Sequence, residues 1–275
     1  MTYIKLKKDS RFAHLGSPKR IWAISAIHGQ LDPLITLHNE IFPHITPGDK
    51  IVYTGNYMGY GPNTSEVLDE ILAFRRAVLA RPSMIPDDLI YLRGAQEEMW
   101  QKLLQLQFSP APMDSLVWML GNGITASLSS YGFSQHDGME ACRQGMKSIT
   151  EWSLQIRKKF AGTPGHDIFT THLVRAAYTE KENDFPLLFV NAGIDYTNPL
   201  DEQKDSFWWE GNKFDIMMQQ YSPFTQVIRG YDPKHNGLEF STIKTTIDGG
   251  CGFDGNLICA VFDVNGEIID LLECR

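Results

Sequence analysis

The architecture of this chain is clearest in RIWAISAIHGQLDPL, which runs from Arg20 to Leu34. The apolar run over Ile21–Ser25 predicts a buried strand, because short continuous apolar segments with polar flanks are typical of one. His28-Gly29 and an amphipathic helix over Pro33–Phe42 follow it. The stretch therefore predicts a strand, a tight turn and a helix, as in the first half of a βαβ unit.

The same alternation continues along the first part of the chain. DKIVYTGN (Asp49–Asn56) and DDLIYLRG (Asp87–Gly94) predict two more strands, and a helical apolar stripe lies between them. Short strands that alternate with helices indicate parallel pairing, with helices on the faces of the sheet. Residues 97–169 mix polar, apolar and aromatic positions and predict a helical insertion.

Beyond Pro186 the pattern changes to β structure. PLLFVNAG, FTQVIRG and STIKTTIDGG predict strands, and Asp254-Gly255 and Asn265-Gly266 predict hairpin turns in the segment that follows. We therefore predict an α/β fold, an α+β sandwich in which two mixed β-sheets pack face to face with flanking helices. Residues 1–275 are predicted to form a single domain that contains the insertion at 97–169.

Composition narrows the range of functions. The chain has 275 residues and a formal net charge of −8, which argues against broad nucleic-acid binding and against an anionic membrane surface. No stretch has the roughly 20 apolar residues needed to cross a bilayer, and MTYIKLKKDSRF lacks the apolar run of a signal peptide. The 4 cysteines are not spaced as metal-binding pairs. These features predict a cytoplasmic protein with reduced thiols.

Five blocks at the predicted strand ends carry a family resemblance. They are SAIHGQ (25–30), GNYMGYGPNT (55–64), LRGAQEEM (92–99), FVNAGI (189–194) and VIRGYDP (227–233). In this order they resemble the blocks GDxHGx, GDxxDRGPxS, LRGNHExM, FVHAGI and xxxGHTP of the calcineurin-like metallophosphoesterases. The resemblance is to the phosphoprotein-phosphatase branch and its bacterial members related to diadenosine-tetraphosphate hydrolase. It spans residues 20 to 272 and implies the calcineurin-like fold.

The resemblance also implies where catalytic groups would lie. In the family these loops hold two metal ions, which share a bridging aspartate and activate a water for attack on phosphorus. The six corresponding ligand positions are Ala26, His28, Asn56, Ala95, Asn191 and Tyr231. The proton donor to the leaving group, its aspartate partner and the phosphate-binding arginine correspond to Gln96, Gly59 and Tyr60. Only His28 is kept, although the glycines that shape the turns remain.

These replacements predict that the binuclear centre is absent. Two divalent ions about 4 Å apart repel by roughly 16 kcal/mol at an effective dielectric of 20, and carboxylates must offset that repulsion. Both aspartates are missing at Ala26 and Asn56. A single metal on His28 alone would be held too weakly, since such sites use three or four ligands. We therefore expect no cofactor and no catalytic residues.

A rebuilt metal site is the alternative at this position. Asp32 follows His28, Asp195 follows the Asn191 block, and Asp232 and His235 lie beside Tyr231. Manganese, iron or zinc would be the metal in that case. The competing interpretation is that these are solvated loop residues and that Asn191 and Tyr231 are joined by hydrogen bonds in the vacated space.

Two arginines suggest a site that binds anions without turnover. Arg93 and Arg229 follow predicted strands, and guanidinium groups bind phosphate oxygens with paired hydrogen bonds. The candidate ligand-binding set is His28, Asn56, Arg93, Asn191, Arg229 and Tyr231. The alternative is that Arg93 is structural and pairs with Glu97 or Asp49.

The sequence therefore supports two main hypotheses about function. The first is a pseudo-phosphatase that binds a partner protein, or a phosphorylated or nucleotide ligand, with the helical insertion as the partner surface. The second is an active serine/threonine-phosphatase-like or dinucleoside-polyphosphate phosphoesterase with a reorganised metal site. A third hypothesis is a subunit whose former active-site face is buried in an oligomer. The sequence leaves the oligomeric state and the identity of the ligand open.

Overall fold

The computed structural model describes residues 10–180 and 185–275. Its strands are β1 (Phe12–His14), β2 (Ile21–Ile24), β3 (Lys50–Tyr53), β4 (Leu89–Tyr91), β5 (Ala176–Tyr178), β6 (Leu187–Val190), β7 (Gln226–Arg229), β8 (Glu239–Phe240), β9 (Lys244–Thr246), β10 (Leu257–Phe262) and β11 (Ile268–Cys274). Its α-helices are α1 (Leu31–Ile41), α2 (Thr64–Leu79), α3 (Ala95–Leu103), α4 (Pro112–Met119), α5 (Thr125–Ser130), α6 (Gln135–Gln144), α7 (Met146–Gly162), α8 (His166–Thr171), α9 (Ser206–Trp209) and α10 (Gly211–Asp215).

The strands form two mixed sheets. One sheet has the order β11-β10-β2-β3-β4, in which β2, β3 and β4 are parallel and β10 is antiparallel to both its neighbours. The other has the order β1-β5-β6-β7-β9-β8, in which β6, β7 and β9 are parallel. The predicted fold class, two mixed sheets with flanking helices, is confirmed.

The two sheets share an apolar layer. Ile21 and Ala23 of β2 belong to the same buried cluster as Phe189 of β6 and Ile228 of β7. Trp22 and Ile24, which alternate with them, belong to the cluster formed with α1 and α2. Since both faces of β2 are covered, all four of its residues are buried, and the strand is a continuous apolar run in the sequence.

The helical stretch between β4 and β5 contains α3 to α8. Its buried residues, including Leu116, Trp152 and Phe160, belong to the same cluster as Trp22 and Val67. This stretch therefore packs on the helices outside the first sheet and shares their apolar core. Among the described residues, no helix is both long and apolar enough to cross a membrane.

One of the two predicted hairpin turns is wrong. Asn265-Gly266 lies between the antiparallel strands β10 and β11, as predicted, in a connection from Asp263 to Glu267. Asp254-Gly255 instead lies between β9 and β10, which belong to different sheets. The turn residues are suited to positive φ, and Asp254 has a φ of +61°, but here the turn carries the chain across the sandwich.

Candidate functional site

The motif loops meet at one edge of the sandwich. The loops after β2, β3 and β7 are joined by backbone hydrogen bonds, from Ala26 N–H to the Gly230 carbonyl (3.0 Å) and from His28 N–H to the Asn56 carbonyl (2.8 Å). Parallel strands end at the same edge of a sheet, so blocks that are far apart in sequence become neighbours. This edge is the candidate site.

Glu97 fixes the shape of the loop after β3. Its carboxylate is buried and accepts N–H groups from Asn56 (2.9 Å), Tyr57 (2.9 Å), Met58 (3.2 Å) and Gly94 (2.8 Å). Burial raises the pKa of Glu97, and these backbone hydrogen bonds act in the opposite direction. The hydrogen-bonding capacity of the Glu97 carboxylate is therefore used by backbone N–H groups and not by a ligand.

Asn56 and Asn191 direct their amide oxygens to the start of α3. Asn56 Oδ1 accepts the Gln96 N–H (3.1 Å), and Asn191 Oδ1 accepts the Ala95 N–H (3.1 Å). Asn191 Nδ2 donates to the Thr54 carbonyl (2.8 Å). Asn191 and Tyr231 are joined by a hydrogen bond, as expected, but it is a backbone one, from the Tyr231 N–H to the Asn191 carbonyl (3.0 Å). The side-chain amide of Asn191 binds other backbone groups at both ends.

Gly94 makes this arrangement possible. A Cβ atom at position 94 would lie 2.2 Å from Asn56 Oδ1 and 2.9 Å from Asn191 Nδ2. The two amides therefore approach the backbone closely where a larger residue cannot fit. Both asparagines lie at positions that correspond to metal ligands in the family that the sequence resembles. Both hold neighbouring backbone segments in place through hydrogen bonds.

His28 is enclosed by aromatic rings. The centroid of its imidazole lies 5.2 Å from that of Tyr60, 5.1 Å from that of Tyr231 and 5.3 Å from that of Phe253, all edge to face. Tyr60 and Phe253 also contact each other, with centroids 4.4 Å apart. Rings therefore pack where the family would have a phosphate-binding arginine and a metal-binding histidine.

The environment keeps His28 neutral near pH 7. Burial lowers the pKa of His28 to about 4, while Asp248 and the Met58 backbone oppose this shift more weakly. Within the described residues, neither ring nitrogen has a hydrogen-bond partner of regular geometry. The imidazole can therefore accept a ligand only if the surrounding rings admit one.

Gln96 and Gly59 remain neighbours in the structure. Gln96 Nε2 donates to the Asn122 carbonyl (2.8 Å), and a Cβ atom at Gly59 would lie 2.3 Å from Gln96 Oε1. The positions of the family's proton donor and of its aspartate partner are thus still adjacent. An amide cannot deliver a proton near neutral pH, and Gly59 supplies only space for it.

The structure places the other carboxylates in local networks. Asp32 is exposed in the first turn of α1. Asp195 accepts hydrogen bonds from Thr197 and Asn198 and pairs with Lys213 at 2.5 Å. Asp232 is buried and accepts backbone N–H groups from Lys234 and Asn236.

His235 lies closest to the ring cluster. Its ring centroid is 3.8 Å from that of Phe253, and its Nδ1 atom lies 3.7 Å from Asp248 Oδ2. Over residues 10–180 and 185–275, no group of three or more His, Cys, Asp and Glu side chains is arranged to hold a metal ion. The donors around His28 therefore do not fit a two-metal centre, and we derive no metal-dependent step.

Arg229 is a buried structural cation. It pairs with Asp215 (2.9 Å) and Asp232 (3.2 Å), donates to Thr246 Oγ1 (2.9 Å), and lies over the Phe214 ring. Two carboxylates therefore already compensate its charge. One terminal nitrogen, Nη1, has no partner among the described residues.

Arg93 faces away from the ring cluster. Its Nη1 atom pairs with Glu98 at 3.3 Å and also donates to Gln101. The predicted structural partners, Glu97 and Asp49, are wrong, since Glu97 binds backbone N–H groups and Asp49 pairs with Arg20 at 2.7 Å. The structure therefore does not bring the guanidinium groups of Arg93 and Arg229 together with His28.

Phe253 is the site residue that sequence reasoning missed. It lies in the glycine-rich stretch GGCGFDG, directly before the Asp254-Gly255 pair for which the sequence predicts only a hairpin turn. The available signal was Gly252, where a Cβ atom would lie 2.7 Å from the Cβ of His28. A glycine at such a position indicates close approach of two backbone segments.

Comparison with known proteins supports the fold. A crystal structure provisionally assigned as a diadenosine tetraphosphatase matches with a TM-score of 0.57 and 16% identity over 96% of this chain and 98% of that one. A serine/threonine phosphatase from Saccharomyces cerevisiae, with similarity to human phosphatase PP5, matches with a TM-score of 0.52 and 14% identity over 96% and 84%. A cold-active protein-tyrosine phosphatase from a Shewanella species matches with a TM-score of 0.51 and 13% identity over 100% and 87%.

No protein-family model matches the chain, and no curated protein matches it in sequence. At these low identities the structural likeness shows the fold alone. The predicted calcineurin-like fold is confirmed on that basis, over nearly the whole chain.

Proposed function

We propose that this chain is a pseudo-phosphatase, a phosphatase fold without the binuclear metal centre that acts by binding. The observation that carries the proposal is the set of contacts made by the residues at the family's metal-ligand positions. Asn56 and Asn191 bind backbone N–H groups of α3, and Tyr231 packs against His28. Ala26 and Ala95 have no donor atoms, so His28 is the one strong metal ligand kept.

Electrostatics supports the same conclusion. The two aspartates that would offset repulsion between two divalent ions are replaced by Ala26 and Asn56. Phosphate binding is weakened as well, because Tyr60 is a neutral ring where the family has a guanidinium. Gln96 offers no proton to a leaving group. Metal binding, substrate binding and proton transfer are all reduced in one site.

A specific observation favours the alternative of an active phosphoesterase with a reorganised site. His28 is neutral near pH 7, and among the described residues its ring nitrogens have no hydrogen-bond partner of regular geometry. His235 and Asp248 also influence its pKa. Two imidazoles and a carboxylate are ligands that zinc accepts. The aromatic rings between them would have to move before these three groups could meet, and we therefore rank this function second.

Metal content and hydrolysis separate the two functions. We expect protein purified without chelator to contain far less than one transition metal per chain, and to leave an aryl phosphate intact with added manganese. Close to two ions per chain, or manganese-dependent hydrolysis that His28→Ala abolishes, would contradict the proposal. Arg143→Gln, an exposed change on α6, is the matched control.

An exposed aromatic surface supports a protein partner. It consists of Phe108, Trp118 and Trp209, which are 79%, 49% and 37% exposed. The rings of Trp118 and Trp209 lie 5.7 Å apart, so the surface joins the helical stretch to α9. Contiguous exposed aromatic groups are typical of interaction sites. We also propose a cytoplasmic location, supported by four cysteines that form no disulfide.

The partner surface is tested by mutation of its centre. Trp118→Ser and Trp209→Ser are expected to abolish recovery of one defined partner in affinity purification from the native host, while Val117→Ser, at a 52% exposed position on the same helix, retains it. Equal recovery of that partner with all three variants would exclude this surface.

A further inference from the structure

We propose that a groove between α3, α7 and α8 binds a small organic anion with an apolar body. The groove has a volume of about 280 Å³, close to the lower end of small-molecule sites. Arg93 and Glu97 line it, whereas His28 and the rings of Tyr60, Tyr231 and Phe253 do not. The proposal is independent of whether the former metal site is active.

Apolar atoms form most of the surface that lines the groove. Leu104 lies at the end of α3, Phe160 lies near the end of α7, and Leu173 follows α8. Trp100 lies among them, with its ring 5.4 Å from that of Phe160. These side chains suit an aromatic or aliphatic body, because burying apolar area is favourable at about 25 cal/mol per Å².

Two guanidinium groups supply the polar end of the groove. Arg93 uses Nη1 to bind Glu98 and Gln101, and Arg157 uses Nη2 to bind the Leu104 carbonyl at 2.9 Å. Among the described residues, the other terminal nitrogen of each arginine has no hydrogen-bond partner. Guanidinium groups with free donors bind carboxylate and phosphate oxygens well.

A buried indole adds an unpartnered donor. Trp100 is 2% exposed, and its Nε1–H has no hydrogen-bond partner in the part of the chain that the structure describes. A buried donor without a partner costs free energy. Trp100 lines the groove, but its Nε1 atom is closed to solvent, so a ligand oxygen reaches it only when a side chain of the groove wall moves.

Two of the three neighbouring carboxylates are already occupied. Both oxygens of Glu97 accept backbone N–H groups, and Glu98 lies within 4 Å of Arg93 (3.3 Å) and Lys102 (3.7 Å). Asp167, which lines the groove, accepts the Ile168 N–H at 2.8 Å through Oδ1, and among the described residues its Oδ2 atom has no partner. The free terminal nitrogens of the two arginines still supply more donors than Asp167 supplies free acceptors, which favours a ligand rich in acceptors.

Calorimetric titration with small probes tests the site. We expect benzoate or phenyl phosphate to bind, and phenol and inorganic phosphate to bind at least tenfold more weakly, because each lacks one half of the required chemistry. The benzoate and phenyl phosphate arms distinguish a carboxylate from a phosphate head group. Binding of phenol as tight as that of the anions, or no binding of either organic anion, would overturn the proposal.

Matched variants assign the binding to the groove. Arg157→Gln should weaken binding of the organic anion about tenfold or more, since it removes a charged hydrogen bond. Trp100→Phe keeps a ring and removes the N–H, and should weaken binding several-fold. Arg143→Gln and Trp152→Phe are the controls, because neither position lines the groove and Trp152 is also a buried indole without a partner. Unchanged binding in Arg157→Gln would exclude the groove.

Discussion

His28 shows at the scale of one residue how this fold keeps an ionisable group in an aromatic environment. The side chain is fully buried among three rings, and burial lowers its pKa to about 4 from 6.5. Above pH 6.5 the histidine is neutral in both the folded and the unfolded chain. Between pH 6.5 and 4 the unfolded chain takes up the proton first, so the free energy of unfolding falls.

This ionisation predicts a pH effect that can be measured. Acidification from pH 6.5 to 4 should cost the protein up to about 3 kcal/mol through His28. His28→Phe should remove this contribution to the fall in the free energy of unfolding. Burial also lowers the pKa of His38, so the free energy of unfolding of the variant should still decrease to some extent with acidification. Urea unfolding at several pH values measures it. The exposed His136→Phe serves as control, and the same pH slope in both variants would contradict the prediction.

Glu97 is the residue on which the candidate site depends most. Its two oxygens accept N–H groups from Asn56, Tyr57, Met58 and Gly94. Glu97→Gln replaces one acceptor by a donor group facing N–H groups, and should lower the free energy of unfolding by about 3 kcal/mol. Glu151→Gln, at an exposed pair with Lys147, should change it by less than about 0.5 kcal/mol. Equal values from denaturant unfolding would refute this assignment.

Much of the site could be predicted residue by residue. The motif blocks predicted which positions meet, and backbone hydrogen bonds join Ala26 to Gly230 and His28 to Asn56. The sequence could not show what the replaced side chains bind. The side chain of Asn191 forms hydrogen bonds with the backbones of Thr54 and Ala95, because buried amide groups need partners. Which backbone groups lie within reach depends on three-dimensional packing.

At the scale of elements, the connection between β4 and α3 is tightly constrained at Gly94. Gly94→Ala would place a Cβ atom 2.2 Å from Asn56 Oδ1, and we expect a loss of about 3 kcal/mol in the free energy of unfolding. Gly121→Ala is the control, because no atom lies within 4 Å of its added Cβ. Thermal unfolding of both variants measures the difference. A Gly94→Ala protein as stable as the control would contradict the close approach described here.

Strands and helices were predictable where periodicity was strong. The run Ile21–Ile24 is apolar at each position because both faces of β2 are covered, and α1 follows it from Leu31. The turn at Asp254-Gly255 was predicted wrongly because the local signal is the same for a hairpin and for a crossing between sheets. Only the pairing of β9 with β7 and of β10 with β2 separates the two cases.

At the scale of the whole molecule, stability should not depend on metal. In the proposed pseudo-phosphatase, Ala26 and Asn56 stand in place of the two metal-binding aspartates, so the proposal predicts that a chelator removes nothing from the native state. We expect the Tm to be the same with and without EDTA, because only a ligand that binds the folded chain raises it. Differential scanning calorimetry on untreated protein measures this. A fall of several degrees with EDTA that zinc or manganese restores would contradict it.

The contact between Gly59 and Gln96 makes a histidine–aspartate pair hard to introduce at these positions by single substitutions. Any side chain at position 59 meets the glutamine amide at 2.3 Å, and the backbone there has a φ of +89°, so Gly59→Asp alone would strain the loop. Gln96→His alone would gain an imidazole without a carboxylate to orient it. Each substitution is therefore unfavourable or without benefit until the other is present, so the two positions are coupled.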